Sequence, residues 1–133
     1  MSAPGSPPSA AAHHIQRILW LAMILSVGMY FAVAQFVQSP STQDNPTLVT
    51  TLLVVAVTLV ASSFQVRKQL LARSRNGGGP QAALTAHIVA LALCESAAVF
   101  GLVVYFVTGS PRYSWFLVLG LAGLLLHYPR PER

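Results

Sequence analysis

The sequence predicts an all-α integral membrane protein, a bundle of four helices, and three observations carry that prediction. Of the 133 residues, 54% are hydrophobic and only 8% are charged, against about 25% charged in ordinary soluble domains. The apolar residues come in runs of about 20, which at about 1.5 Å per residue cross a hydrocarbon core about 30 Å thick. The basic residues sit between and beside these runs, not along them. A soluble domain of this length has no interior large enough to hide so much apolar surface.

In chain order, residues 1–14 read as a disordered cytoplasmic tail. Met1 to Ala12 is small and rich in Pro and Ser, and nothing in it buries enough surface to offset the entropy of ordering. It carries no charge, so it is not the basic leader of a secretory signal. His13 and His14 fall in the same tail and read as solvated side chains. The four-helix domain is expected over 15–130, with a short tail at 131–133.

The first span is expected at about 18–37. Arg17 anchors its start, Trp20 lies at the depth of an interfacial aromatic belt, and Gly28 with Ala32 forms a small-xxx-small pair suited to helix contact. A polar loop with two prolines follows, then a second span at about 48–66. That span is rich in Val and Thr, yet it is too long for a strand and lacks period-2 alternation. Arg67 to Gln81 is a basic loop whose first half extends the second helix and whose Asn76-Gly77-Gly78-Gly79-Pro80 ends it. These glycines lack the GxxxxGK[ST] pattern of a phosphate loop. The third span is expected at about 82–107, Gly109 to Arg112 as a tight turn, and the fourth span at about 113–128. The fourth is the shortest, and Tyr113, Trp115 and Tyr128 read as its interfacial anchors.

The net charge of +5 is explained by placement. Arg17, Arg67, Lys68, Arg73, Arg75, Arg130 and Arg133 fall on one side of such a bundle and Arg112 alone on the other. The positive-inside rule then puts both termini in the cytoplasm of a multi-pass protein of the inner (plasma) membrane, with the lipid bilayer as its first partner. No nucleic acid and no small-molecule substrate is implied. The single cysteine, Cys94, has no internal disulfide partner and reads as a packing residue.

The first and third spans align without gaps so that Leu21, Ala22, Ser26, Val33, Phe36 and Val37 meet Leu91, Ala92, Ser96, Val103, Phe106 and Val107. This pattern is expected of two tandem two-helix repeats. Its informative break is Glu95, which falls opposite Leu25.

Glu95 is the only acid in a span, and an ionisable group at that depth costs roughly 2.5–3.5 kcal/mol on insertion scales. On a helical wheel at about 100° per residue, Ala86, Ala90, Cys94, Ala97 and Gly101 form a small-residue stripe. Glu95 lies away from that stripe, pointing toward a looser contact, another subunit or lipid. With no basic residue in any span, a carboxyl closed off from water favours its neutral form. It then takes a proton, and releases it on meeting water or a cation. The plainer reading is a protonated Glu that holds helices together through hydrogen bonds.

The run Glu95-Ser96-Ala97-Ala98-Val99-Phe100-Gly101-Leu102-Val103-Val104 resembles the ion-binding helix of rotary ATPase c subunits. That family's pattern is a mid-membrane carboxylate, then small and apolar residues, then an aromatic-Gly-Leu-Val run. The resemblance implies that Glu95 is a proton- or sodium-binding carboxylate, supported by Ser96, Cys94, Ser62 or Ser63. The second span offers Ala56, Ala61, Ser62 and Ser63 where that family's partner helix is glycine-rich.

Other chemistry is thin. His87 and His127 are expected at equal depth near the cytoplasmic ends of the third and fourth spans, which makes them weak candidates for a shared metal or haem. No zinc spacing and no nucleophile elbow occurs, so no cofactor and no catalysis are expected. The functional expectation is an ion-translocation component acting through Glu95, which self-associates or joins a larger membrane complex. The alternative is a non-catalytic accessory or assembly subunit in which Glu95 is an interhelical hydrogen-bonding group.

Overall fold

A computed structural model describes residues 10–38 and 43–129. The chain is all-α: α1 (Ala10–Phe36), α2 (Pro46–Arg73), a π-helical turn (Ser74–Gly78), α3 (Gly79–Thr108) and α4 (Tyr113–Leu126). Three of the four helices, α1, α2 and α3, are long and apolar enough to cross a membrane. Expectations for the start of the N-terminal tail, the middle of the first loop, Arg130 and the C-terminal tail fall outside the described residues.

Local chemistry explains the boundaries. Asn45 caps α2 by accepting from the Leu48 N–H at 3.0 Å, with Pro46 at the first helical position, where its missing N–H costs nothing. The α2–α3 connection kinks at Asn76 and Gly77, where Gly77 takes φ 118°, a value open mainly to glycine. Between α3 and α4, Gly109 takes φ 64° and donates its N–H to the Tyr105 carbonyl at 2.9 Å.

Several expectations are corrected here. α1 begins at Ala10, so His13 and His14 stand on its first turns and not in a loose tail. Arg67, Lys68 and Arg73 belong to α2, so the first half of the basic segment does extend the second helix, in line with the sequence reading. Gly28 has no atom within 4 Å of where a Cβ would stand, so the Gly28–Ala32 pair makes no close contact within the chain. The largest difference is in α4. Its 14 residues span only about 21 Å, and its far end stops against the middle of α3.

α3 is the axis of the bundle. Its small-residue stripe is fully buried: Ala86, Ala90, Cys94 and Ala97 are all closed off. The stripe lets α4 lie against it backbone to backbone, as small residues do between membrane helices. A Cβ on Gly101 would stand 2.7 Å from the Phe116 Cβ, and one on Gly120 would stand 2.9 Å from the Cys94 carbonyl oxygen. α2 closes the same side with Val49, Ala56, Val60 and Ser63. α1 packs more loosely on the remaining flank through Val27, Ala34 and the half-buried Met23, Ile24 and Tyr30.

Candidate functional site

Glu95 is half-buried on the flank of α3 that faces α1. Its carboxyl oxygen Oε1 lies 2.5 Å from Ser26 Oγ and 2.9 Å from the Tyr30 hydroxyl. Ser26 and Tyr30 are four residues apart, so one turn of α1 presents both to the same point. Ser26 Oγ is also 2.7 Å from the Met23 carbonyl. No hydrogen bond reaches Glu95 Oε2 from the described residues.

The proton count at Ser26 is informative. A serine hydroxyl has one hydrogen and two lone pairs, yet Ser26 Oγ sits against two oxygens, at 2.5 and 2.7 Å. Two arrangements satisfy these contacts: the Ser26 hydrogen goes to Glu95 Oε1 or is shared with the Met23 carbonyl, or it goes to Met23 while a neutral carboxyl donates to Ser26 Oγ. The spacing of 2.5 Å belongs to the short range of O–H···O bonds. Tyr30 donates to the same oxygen, so Oε1 is engaged by two hydroxyls of α1.

The support residues expected from the sequence lie elsewhere. Ser96 Oγ donates to the Ala92 carbonyl at 2.8 Å on its own helix. Ser62 is half-buried on α2. Cys94, about a quarter-turn from Glu95 on α3, and Ser63 on α2 meet a third residue, His127, in a second, fully closed polar cluster. Cys94 Sγ lies 3.5 Å from Ser63 Oγ and 3.8 Å from His127 Nδ1, while Ser63 Oγ is 3.5 Å from His127 Nε2. Ser63 also donates to the Val60 carbonyl at 2.6 Å, and the Phe64 ring stacks on the imidazole at 4.4 Å.

This second cluster closes the end of α4. A helix that stops at membrane depth must satisfy its last carbonyls without water. His127 Nδ1 donates to the Gly123 carbonyl at 2.8 Å, and Trp20 Nε1 on α1 donates to the Leu124 carbonyl at 2.7 Å. Trp20 also meets the Tyr128 ring edge-on at 5.0 Å. Trp20 and His127 thus cap a helix end, in place of the interfacial anchor and weak metal ligand that their positions suggested. His87 lies two turns along α3 from Cys94, not paired with His127 across a shared site, and its buried Nε2 has no partner. No group of three or more His, Cys, Asp or Glu suited to a metal occurs among the described residues.

Sequence reasoning located Glu95 but not Ser26 and Tyr30. The usable signal was the alignment of the first and third spans, which places Ser26 and Tyr30 opposite Ser96 and Phe100. It marked them as polar positions on an apolar helix without saying which neighbour they face. Comparison with known proteins yields no match to a family model, to a curated protein or to a solved structure, so function is argued from the chain's own geometry.

Proposed function

We propose that this chain is a proton-carrying component of a membrane system, with Glu95 as a reversible proton site near the middle of α3. The observation that supports it is the single hydrogen of Ser26 between two oxygens, 2.7 Å from the Met23 carbonyl and 2.5 Å from Glu95 Oε1. A neutral carboxyl donates to Ser26 while Ser26 donates to Met23, and on ionisation the Ser26 hydrogen turns to the carboxylate, so the site can hold both forms. Tyr30 stands ready to stabilise the carboxylate when the proton leaves, because a phenol donates to either form. The resemblance of residues 95–104 to the ion-binding helix of rotary ATPase c subunits agrees with this reading. Of the two ions which that family implies, the proton is the one that fits the hydrogen bonds already made at Glu95 Oε1. The placement of both termini in the cytoplasm of an inner-membrane protein belongs to the same proposal and rests on the distribution of Arg and Lys.

The test is chemical labelling of the protein in bilayers with a hydrophobic carbodiimide, which reacts with protonated carboxyls. One adduct at Glu95 is expected, declining as the pH is raised and absent in Glu95→Gln. Proteoliposomes holding a pH-sensitive dye, with the chain and its partners, should lose proton flux in the same variant. A protein that takes no label at any pH overturns the reading.

A second reading has its own support. The Glu95 bonds join α1 to α3 across 65 and 69 positions of sequence, as a purely structural interhelical group would. Glu95→Gln separates the two. An amide keeps an acceptor for Tyr30 but exchanges no proton, so a variant with full activity of the complex and intact assembly selects the structural role.

A further inference from the structure

The outward face of α3 beside Glu95 has an unusual makeup for a surface in contact with lipid. Ile88, Val99 and Val103 are exposed and apolar, as lipid contact requires. Between them stand Ala92, exposed, and Ser96, half-buried, four residues apart on one face. Such a pair lets another helix approach closely, but small residues alone do not call for a partner.

Glu95 does. Its Oε1 is engaged twice from α1, whereas Oε2 receives nothing from the described residues. As half of a carboxylate or as the carbonyl oxygen of a neutral carboxyl, Oε2 is an acceptor without a donor among the described residues. Lipid tails have none to give. Ser96 next door holds the complementary surplus. Its hydroxyl is turned onto the Ala92 carbonyl at 2.8 Å, an oxygen that also takes the helical N–H of Ser96 (i to i−4). Rotating the hydroxyl away therefore orphans nothing. Within one chain the two cannot meet, because consecutive residues diverge by about 100° around the helix.

We propose that two copies of this chain pack α3 against α3 along Ala92 and Ser96, with the Ser96 hydroxyl of each copy donating to Glu95 Oε2 of the other. Copies inserted the same way into a membrane are parallel and related by a two-fold axis along its normal. Such an interface is isologous, so any contact made once is made twice. Glu95 and Ser96 differ by only about 1.5 Å in height, so at a close crossing each faces the other's neighbour at the same depth. A second copy is favoured over a foreign helix because it brings the missing donor at the right depth, on a face already narrow enough to reach it. The pairing does not depend on whether Glu95 moves protons, since a structural carboxyl leaves Oε2 equally bare.

The experiment counts chains in bilayers at low protein-to-lipid ratio, by photobleaching of a fluorophore fused to the N-terminus. Pairs are expected for the native chain. Ala92→Leu should widen the seam and raise the dissociation constant more than 10-fold. Ser96→Ala should raise it about 3- to 10-fold, and Ser96→Thr, which keeps the hydroxyl, should restore pairing. Val57→Leu, on the exposed face of α2, is the control and should change nothing. Single steps at every ratio, three or more steps, or pairs indifferent to both Ala92→Leu and Ser96→Ala each overturn the proposal. Carbodiimide labelling of Glu95 in the same samples is read independently, so failure of the pairing and failure of the proton site are told apart.

Discussion

Cys94 and Glu95 are consecutive residues on one helix, yet they stand in two different solvents. The Cys94 side of α3 is packed to backbone contact. Gly120 lies so close that a Cβ there would meet the Cys94 carbonyl at 2.9 Å and the Ala98 Cβ at 3.0 Å, and every polar atom nearby is spoken for by Ser63, His127 or a helix carbonyl. The Glu95 side is a looser seam, bridged to α1 by two hydroxyls and with one carboxyl oxygen left over. The difference teaches where each kind of work is placed. The small-residue face fixes the geometry of the bundle, and the face a quarter-turn away holds the carboxyl that joins α3 to α1.

That division predicts the largest effects on the tight face. Gly120→Leu forces α4 away from α3 and is expected to cost about 3 kcal/mol, the upper part of the range for overpacking. Chemical unfolding of the chain in mixed micelles, followed by circular dichroism, measures it. If Gly120→Leu unfolds at the native midpoint, the close α3–α4 approach is wrong.

A smaller loss is expected where α4 ends. Trp20→Phe removes the side-chain donor to the Leu124 carbonyl, leaving the His127 N–H at 3.2 Å, and should destabilise by about 0.5–1.5 kcal/mol, the net worth of one hydrogen bond. Because the ring survives, contact with Tyr128 is largely kept. Hydrogen exchange localises the effect: faster exchange confined to the last turn of α4 is expected, and uniform loss across the bundle would instead mean that Trp20 acts through packing.

On the Glu95 side, Tyr30→Phe should cost less again, about 0.6 kcal/mol, the average for a hydrogen bond between membrane helices. Its larger consequence falls on the proton. Without the phenol there is one donor fewer at Glu95 Oε1, so the rate of carbodiimide labelling at Glu95 should differ from that of the native chain. An unchanged labelling profile would detach Tyr30 from the site.

The same contrast explains how much was legible in the sequence. The number of helices, the small-residue stripe and the position of Glu95 away from it follow from hydropathy and the 100° step of a helix, which are properties of a single element. Three things were not legible. That α4 stops short depends on where its last turn meets α3, and a run of apolar residues ending in His127-Tyr128 reads equally well as a complete span. Trp20 looks like an interfacial anchor and His127 like a weak metal candidate until their contacts with the last carbonyls of α4 are seen. Ser26 and Tyr30 required knowing which flank of α1 faces α3, and the hydrophobic pattern of α1 is too uniform to say. In each case the missing information is the rotation or depth of one helix relative to another. An apolar environment leaves that weakly coded in composition, because lipid-facing and partner-facing residues look alike.

The smallest expected effect has the opposite sign. Gly28 sits on α1 with no atom within 4 Å of a prospective Cβ, while Gly120 has three at van der Waals distance or closer. Gly28→Ala should therefore gain helix propensity with nothing to collide against, a stabilisation of up to about 1 kcal/mol, read in the same micelle unfolding assay. If Gly28→Ala leaves folding intact but weakens pairing in bilayers, the small pair Gly28–Ala32 packs against another chain. The α3 seam would then not be the sole contact between copies. If both folding and pairing are preserved, the open flank of α1 is a lipid surface, and the Cys94 side of α3 is the only tight one that Gly28 and Gly120 together distinguish.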